Sequence, residues 1–422
     1  MLPRPHVGSA PEIRSPPMAA PLLDWLHLAL RWTHVLAGIL WIGDSFLFMW
    51  MDRALTPPTR PRQGAVVGEL WMVHSGGFYE VVKRKYLAPN EVPAHLHWFM
   101  WEAYTTWISG FFLLGVLYYF GGGVLLLDRG VSRIGLGTGI AISLGLIIMA
   151  YAVYNAIWSS PLARRPRLTA LLCAALLVWV IYGLTHLFSG RAAFVHVGAL
   201  LGTIMATNVS NVIIPAQNRM LAATRAGEPV DVTLGERAKM RSTHNHYLTL
   251  PVLFTMLSNH FPATYGNPLS WLVLTLIMIV GVVVKYVMNF RSRSNRWVMA
   301  AGVAALAAAI TLTIRPAGSA AALAALRASP PVPFSEAHVI LERRCLTCHA
   351  TKPSNPSFPA PPNGIVLEDP ERIRSLAPRI IERVVVTRTM PLGNITGMTE
   401  EERRALGAWV AQGARVDGGE RP

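Results

Sequence analysis

The chain has 422 residues, enough for two or three domains. It is 52% hydrophobic and only 14% charged, with a mean hydropathy of +0.37, which argues against an ordinary soluble enzyme and for a membrane protein. The net charge of +15 alone would suit nucleic acid, but the cations cluster between apolar segments, and residues 333–422 carry 12 Lys/Arg against 11 Asp/Glu, so no nucleic-acid partner is expected.

Residues 1–20 are rich in proline and small side chains and lack an apolar core of signal-peptide length, so they read as a disordered extension without a cleavable signal. Met18 is an alternative start. Residues 21–315 read as an integral membrane domain with eight apolar segments, at 23–50, 98–120, 134–158, 168–188, 191–214, 246–260, 269–289 and 297–315. Each is near the ~20 residues that cross a bilayer, and the sixth, being short, should begin earlier or be irregular. Lysine and arginine set the orientation. Loops 51–97, 159–167, 215–245 and 290–296 hold seventeen of them, and the alternate loops hold only Arg129, Arg133 and Arg191. The rich side is therefore cytoplasmic, and both termini of a bacterial inner-membrane protein would face the periplasm.

Ionisable residues inside spans are costly and are functional candidates by default. The outer half carries His27, Arg31 and His34, then His186, His196 and His260. His27, Arg31 and His34 share one helix face, with the histidines ~10 Å apart along the axis. Histidines from different spans can hold haem b, with His34 as first ligand and His196 or His186 as partner; the alternative is hydrogen bonding between helices. The inner half carries His95, His97 and Glu102 with Trp98, Trp101 and Trp107, then Asn208, Asn211, Gln217, His244, Asn245, His246, Lys285 and Asn289. Amides, imidazoles and aromatic rings at one depth suit a flat heterocycle with several N–H and C=O groups; an interfacial aromatic belt is the plainer alternative. Asp44 is expected to find Lys285 or Arg53. The long loop 51–97 is expected to form either a lid, through residues 68–79, or an amphipathic helix on the membrane.

Residues 316–332 read as a linker, partly helical at 320–327, and 333–415 as a small cytochrome c domain followed by a tail at 416–422. Cys345-Leu346-Thr347-Cys348-His349 is C-x-x-C-H, the attachment signature of haem c, and no second C-x-x-C exists to complete a zinc site. Ser335 is expected to cap the preceding helix, a helix is expected around Ile380, Ile381 and Val384, and Thr399 with Glu402 forms a capping box ahead of Leu406, Trp409 and Val410. His349 would be one iron ligand and Met390 the other, with Met398 as runner-up and a core role for Met390 as the bland alternative. Cys173 lies in an apolar run as packing. The expected architecture is all-α: an eight-span transmembrane helical bundle followed by a small all-α cytochrome c domain.

The segments Arg31–Gly43, Gly68–His74 and His97–Trp107, together with Thr389–Thr399, resemble the bacterial membrane-bound urate hydroxylase (urate oxidase) family, over about residues 22–415. That resemblance implies oxidation of urate to 5-hydroxyisourate in purine degradation, with electrons leaving through the cytochrome to a respiratory-chain cytochrome or cytochrome oxidase. His97, Glu102, His246 and Lys285 are then the candidate catalytic groups. Two other functions fit the same layout: an electron conduit from quinol to a periplasmic acceptor, and a transporter or sensor with a redox reporter.

Overall fold

The computed structural model describes residues 19–416, apart from 61, 63, 121, 291–294, 315–318, 357 and 359. The stretch 1–18, expected to be disordered, lies outside the described residues, as do 417–422, Arg291 and Arg293; Ala19 and Ala20, assigned to the same extension, open the first helix instead.

Helices dominate. In the N-terminal three quarters they are α1 (Ala19–Ala54), α2 (Trp101–Leu114), α3 (Leu136–Ser159), α4 (Pro166–Thr185), α5 (Gly190–Asn208), α6 (Ile214–Ala226), α7 (Val232–Leu257), α8 (Pro262–Tyr265), α9 (Ser270–Asn289) and α10 (Arg296–Ile314). Local chemistry sets several ends. Ser189 accepts from Ala192 N–H at the head of α5 and Asp231 from Thr233 N–H at the head of α7, while Pro166 opens α4. Gly227, at φ +71°, ends α6 in the left-handed conformation.

Six of the described helical stretches are long and apolar enough to cross a membrane: Leu22–Ala54, Leu136–Ser159, Pro166–Thr185, Gly190–Ala226, Ser270–Asn289 and Arg296–Ile314. The other two expected spans fall on helices outside that set. Segment 98–120 is α2 running on through a π turn, Gly115–Tyr119, and segment 246–260 is the C-terminal part of α7, which starts earlier and contains Pro251. Helix α5 is the centre of the body, buried along most of its length and packed on α2, α3, α4 and α7. By contrast α1 leaves Trp25, Trp32, Val35, Leu36, Ile39 and Leu40 exposed, the surface expected where lipid is the solvent.

The loop after α1 is neither a bare connection nor an amphipathic helix. It forms an antiparallel hairpin, β1 (Val66–His74) on β2 (Gly77–Arg84), with Glu69 opposite Val82 and Val73 opposite Phe78. The alternation Val67, Glu69, Trp71, Val73 has period two, which a helix cannot use. Glu69 is buried; Thr59 N–H, Thr59 O–H and Arg62 Nε donate to it, each at 2.8 Å, and these bonds hold its carboxyl below the usual range against the opposing effect of desolvation.

The C-terminal unit contains α11 (Ser319–Ala328), α12 (Phe334–Arg344), α13 (Leu346–His349), α14 (Pro370–Ile381, continued by a π turn to Val386) and α15 (Glu400–Ala411). The expected linker does not hang free: α11 packs on α15, with Leu326 buried, and Gln412 reaches Ser329 and Val332. Helix α12 starts at Phe334 behind an extended Pro333, so Ser335 lies inside the first turn rather than capping it. Thr399 and Glu402 form the expected capping box, and Leu406 and Trp409 enter a core with Ile340, Leu341, Ile373 and Met398.

Candidate functional site

The inner polar residues gather around α1 in separate groups. On the α7/α9 side, Lys285 is fully buried; its Nζ lies 2.9 Å from the Phe46 ring centroid and has no hydrogen-bond partner. Beside it, His246 Nε2 donates to Asn289 Oδ1 at 2.9 Å, its Nδ1 lies 3.5 Å from Ser45 Oγ, and its ring meets Phe46 edge-on at 5.8 Å. Asn289 Nδ2 is buried without a partner. Lys285, His246 and Asn289, all of the expected inner set, are thus brought together.

The other expected pair lies elsewhere. Asp44 has Glu102 and His97 as its charged neighbours, not Lys285 or Arg53. Arg53 instead stacks over Phe290 at 4.1 Å. The physical reason is helical rotation: Asp44 and Phe46 are two residues, or about 200°, apart around α1, so they face opposite ways. Glu102 is half-buried, with Oε2 unpartnered, and His97 is exposed. The four candidate catalytic residues therefore divide: His246 and Lys285 come together, while Glu102 and His97 each act on Asp44 from the other face of α1.

A third group joins Asn208, Asn211, His244 and Asn245, expected from the sequence, to residues of α3 and to Arg241, which were not singled out as part of it. Helix α3 presents Tyr151, Tyr154, Asn155, Trp158 and Ser159 at helical spacing toward α5 and α7. Asn211 Nδ2 donates to Tyr151 OH at 2.9 Å and Asn208 Nδ2 to Tyr154 OH at 3.1 Å. Tyr154 OH also shares a 2.8 Å hydrogen bond with His244 Nδ1. Asn208 donates again to Asn245 Oδ1 at 2.9 Å, and Asn245 to the Met205 carbonyl at 2.9 Å. Arg241 closes the group from α7, bonded to Asn155. The available signal was the i, i+3, i+4, i+7, i+8 polar-aromatic stripe in α3, hidden inside an otherwise apolar span.

On the outer half, His34 Nδ1 donates to the Thr106 carbonyl at 2.8 Å, and its ring lies so close to Gly110 that a Cβ there would be 2.7 Å from Cε1. His196 Nδ1 donates to the Ala192 carbonyl at 2.7 Å, leaving Nε2 buried and unpartnered among Tyr118, Tyr119 and Phe188. From Gly110 to Tyr118 is eight residues, ~12 Å along α2. His34 and His196 therefore do not face one flat group, and the packed rings around His196 leave no slot for a porphyrin; haem b on this pair does not fit. His186, the other suggested partner, is tied to the Tyr182 carbonyl on α4.

In the C-terminal unit, Cys345, Cys348 and His349 lie together at half-buried positions. His349 Nδ1 donates to the Ile365 carbonyl at 3.0 Å, which leaves Nε2 for an iron. Desolvation and the neighbouring Cys348 push the Cys345 thiol up to about 12. Met390 is half-buried and packs against the edge of the same core that buries Met398. Among the described residues no group of three or more His, Cys, Asp or Glu is set to hold a bare metal ion.

The Met390 loop meets the membrane body directly. Arg129 N–H donates to the Gly393 carbonyl at 3.1 Å, and Gly393, at φ +58°, lies so close that a Cβ would be 2.8 Å from the Leu127 carbonyl. Arg403 donates to the Val384 and Met390 carbonyls at 2.6 and 2.7 Å, which fixes the loop from behind. Desolvation at this seam raises the Asp128 carboxyl, although Gly130 N–H and Arg403 work against it. A surface pocket of about 420 Å³ between Tyr86–Pro89 and Gly227–Val230 shares no lining residue with any of these groups.

Residues 20–314 match the family described as urate oxidase N-terminal. No curated protein and no solved structure matches the chain.

Proposed function

The chain belongs to the urate oxidase N-terminal family, and from that premise we propose that it is a membrane-bound urate hydroxylase that passes electrons to a haem c held by its own C-terminal unit. The observation that carries the reading is the seam between the matched body and the C-x-x-C-H unit, where Gly393 locks the Met390 loop against residues 124–129. A haem held this close to the body would be placed to take electrons from it.

The balance is urate plus water giving 5-hydroxyisourate, two protons and two electrons. Haem c, when bound, supplies a one-electron acceptor. Cys345 and Cys348 would hold it, with His349 Nε2 and the Met390 sulfur on the two iron faces. The chain's own inner groups do the remaining work: buried donors of the inner half hold the urate anion, and a base among His246, His97 and Glu102 takes up the protons. No step is routed through haem b.

Counting α2 and α7 with the six apolar stretches gives eight crossings, and the Lys/Arg-rich loops then lie in the cytoplasm. Both ends of the chain face the periplasm of a bacterial inner membrane. A respiratory-chain cytochrome or oxidase takes the electrons onward.

The test is anaerobic addition of urate to membranes containing the protein. Reduction of the haem c bands is expected. Bands that respond to quinol but not to urate would instead select a plain electron conduit.

A further inference from the structure

The body contains a buried guanidinium with nothing negative against it. Arg241, on α7, is 2% exposed. Its Nη2 donates to Asn155 Oδ1 at 3.0 Å and lies 3.5 Å from Ser159 Oγ, and its Cζ stands 4.8 Å from the Tyr154 ring centroid. Nε and Nη1 have no hydrogen-bond partner, so among the described residues no carboxylate touches it. Arginine keeps its charge at any accessible pH, and an uncompensated buried charge is strongly destabilising. A lysine in such surroundings can be neutral; an arginine cannot. The position makes physical sense if an anion neutralises it.

A second, independent group points to the same ligand. Asn208 is 0% exposed, and its Oδ1 has no partner although its Nδ2 donates twice. Tyr154 OH connects Asn208 to His244, and Trp158 lies 4.2 Å from the His244 ring. Directly after Asn208 the helix opens into a π turn, Val209–Ile213, an irregularity common at functional sites. Free donors on a buried cation, a free amide acceptor joined to it through Tyr154, and aromatic rings beside them suit a planar ring with an anionic acceptor edge and an N–H.

We propose that the polar cluster between α3, α5 and α7 binds the anionic edge of the heterocyclic substrate, with Arg241 as its cationic partner and Asn208 as the acceptor for a ring N–H. This rests on the urate reading and names the residues that recognise the substrate; Lys285, already covered by Phe46, is not that partner.

The test uses the full-length haem-loaded protein. Equilibrium dialysis with labelled urate under anaerobic conditions gives Kd, and urate-driven haem reduction gives KM, for wild type, Arg241→Lys, Arg241→Gln and Asn208→Ala. Loss of charge-assisted bonds should raise Kd and KM about 10–100-fold in Arg241→Gln. Arg241→Lys and Asn208→Ala should each weaken binding about tenfold. Haem content and the dithionite-reduced spectrum should not change. If Arg241→Gln does not accumulate, Arg241→Lys decides, because it keeps the charge and loses only the planar guanidinium. Variants that bind urate as wild type does overturn the cluster as the binding site while leaving the urate reading intact. A wild type that neither binds urate nor is reduced by it overturns both.

Discussion

Cations are used differently in the two parts of the molecule. In the C-terminal unit they are consumed by structure. Arg344 grips both oxygens of Glu402 at 2.9–3.0 Å, Arg388 does the same with Glu400 at 2.8–2.9 Å, and buried Arg403 spends its donors on two carbonyls. In the membrane body, Arg241 and Lys285 are as deeply buried and keep free donors. A unit of fewer than 100 residues has little core to spare and gains from stitching its short helices with charge. Long apolar helices in lipid need no such stitches, and an unpartnered cation among them is a functional candidate by default.

Three perturbations probe this contrast, from the largest effect to the smallest. Replacing Cys345 and Cys348 together by alanine should abolish covalent haem, read as loss of the haem-stained band on a denaturing gel. Urate binding by dialysis should survive, since the ligand groups lie in the body; loss of binding would mean that the two parts are not separable.

Arg344→Ala should cost about 1.5–3 kcal/mol at neutral pH, seen as a lower denaturant midpoint of the haem spectrum. Its pH dependence has a definite sign. Burial opposes ionisation of Glu402, but hydrogen bonds from Arg344 and Thr399 N–H win and hold its carboxyl below the usual range. A carboxyl depressed on folding stabilises above its ordinary value and loses that contribution as pH falls through the depressed one. The gap between wild type and variant should therefore be full at pH 7 and shrink below about pH 4.3. A gap independent of pH would show that Arg344 acts by packing.

Gly393→Ala should be the mildest. A left-handed φ of +58° with carbonyl oxygens 2.8–2.9 Å from the new Cβ costs about 1–2 kcal/mol, borne at the seam. Stopped-flow reduction by urate should slow, while reduction by dithionite should not. Equal slowing with both reductants would place the damage inside the C-terminal unit.

The helical segments were legible because apolar runs near 20 residues have few other fates, and the C-x-x-C-H and the Thr399 capping box are local patterns read without knowing the fold. The hairpin was missed although Val67, Glu69, Trp71 and Val73 alternate, because the buried Glu69 disguised the apolar face until Thr59 and Arg62 were seen to satisfy it. The inner polar inventory was legible as a list, not as a grouping. His97, Glu102, His246 and Lys285 share a depth, but the turn of α1 between Asp44 and Phe46 divides them.

Sequence alone determined that this is a largely helical membrane chain with a C-x-x-C-H unit at its end, because hydropathy and short motifs depend only on neighbours in the chain. Tertiary structure alone decided that His34 and His196 stand two turns apart along α2, that the Met390 loop is locked by Gly393 to residues 124–129, and that Arg241 has no carboxylate beside it. Those outcomes depend on helix rotation and on which helices touch, quantities that no local pattern encodes.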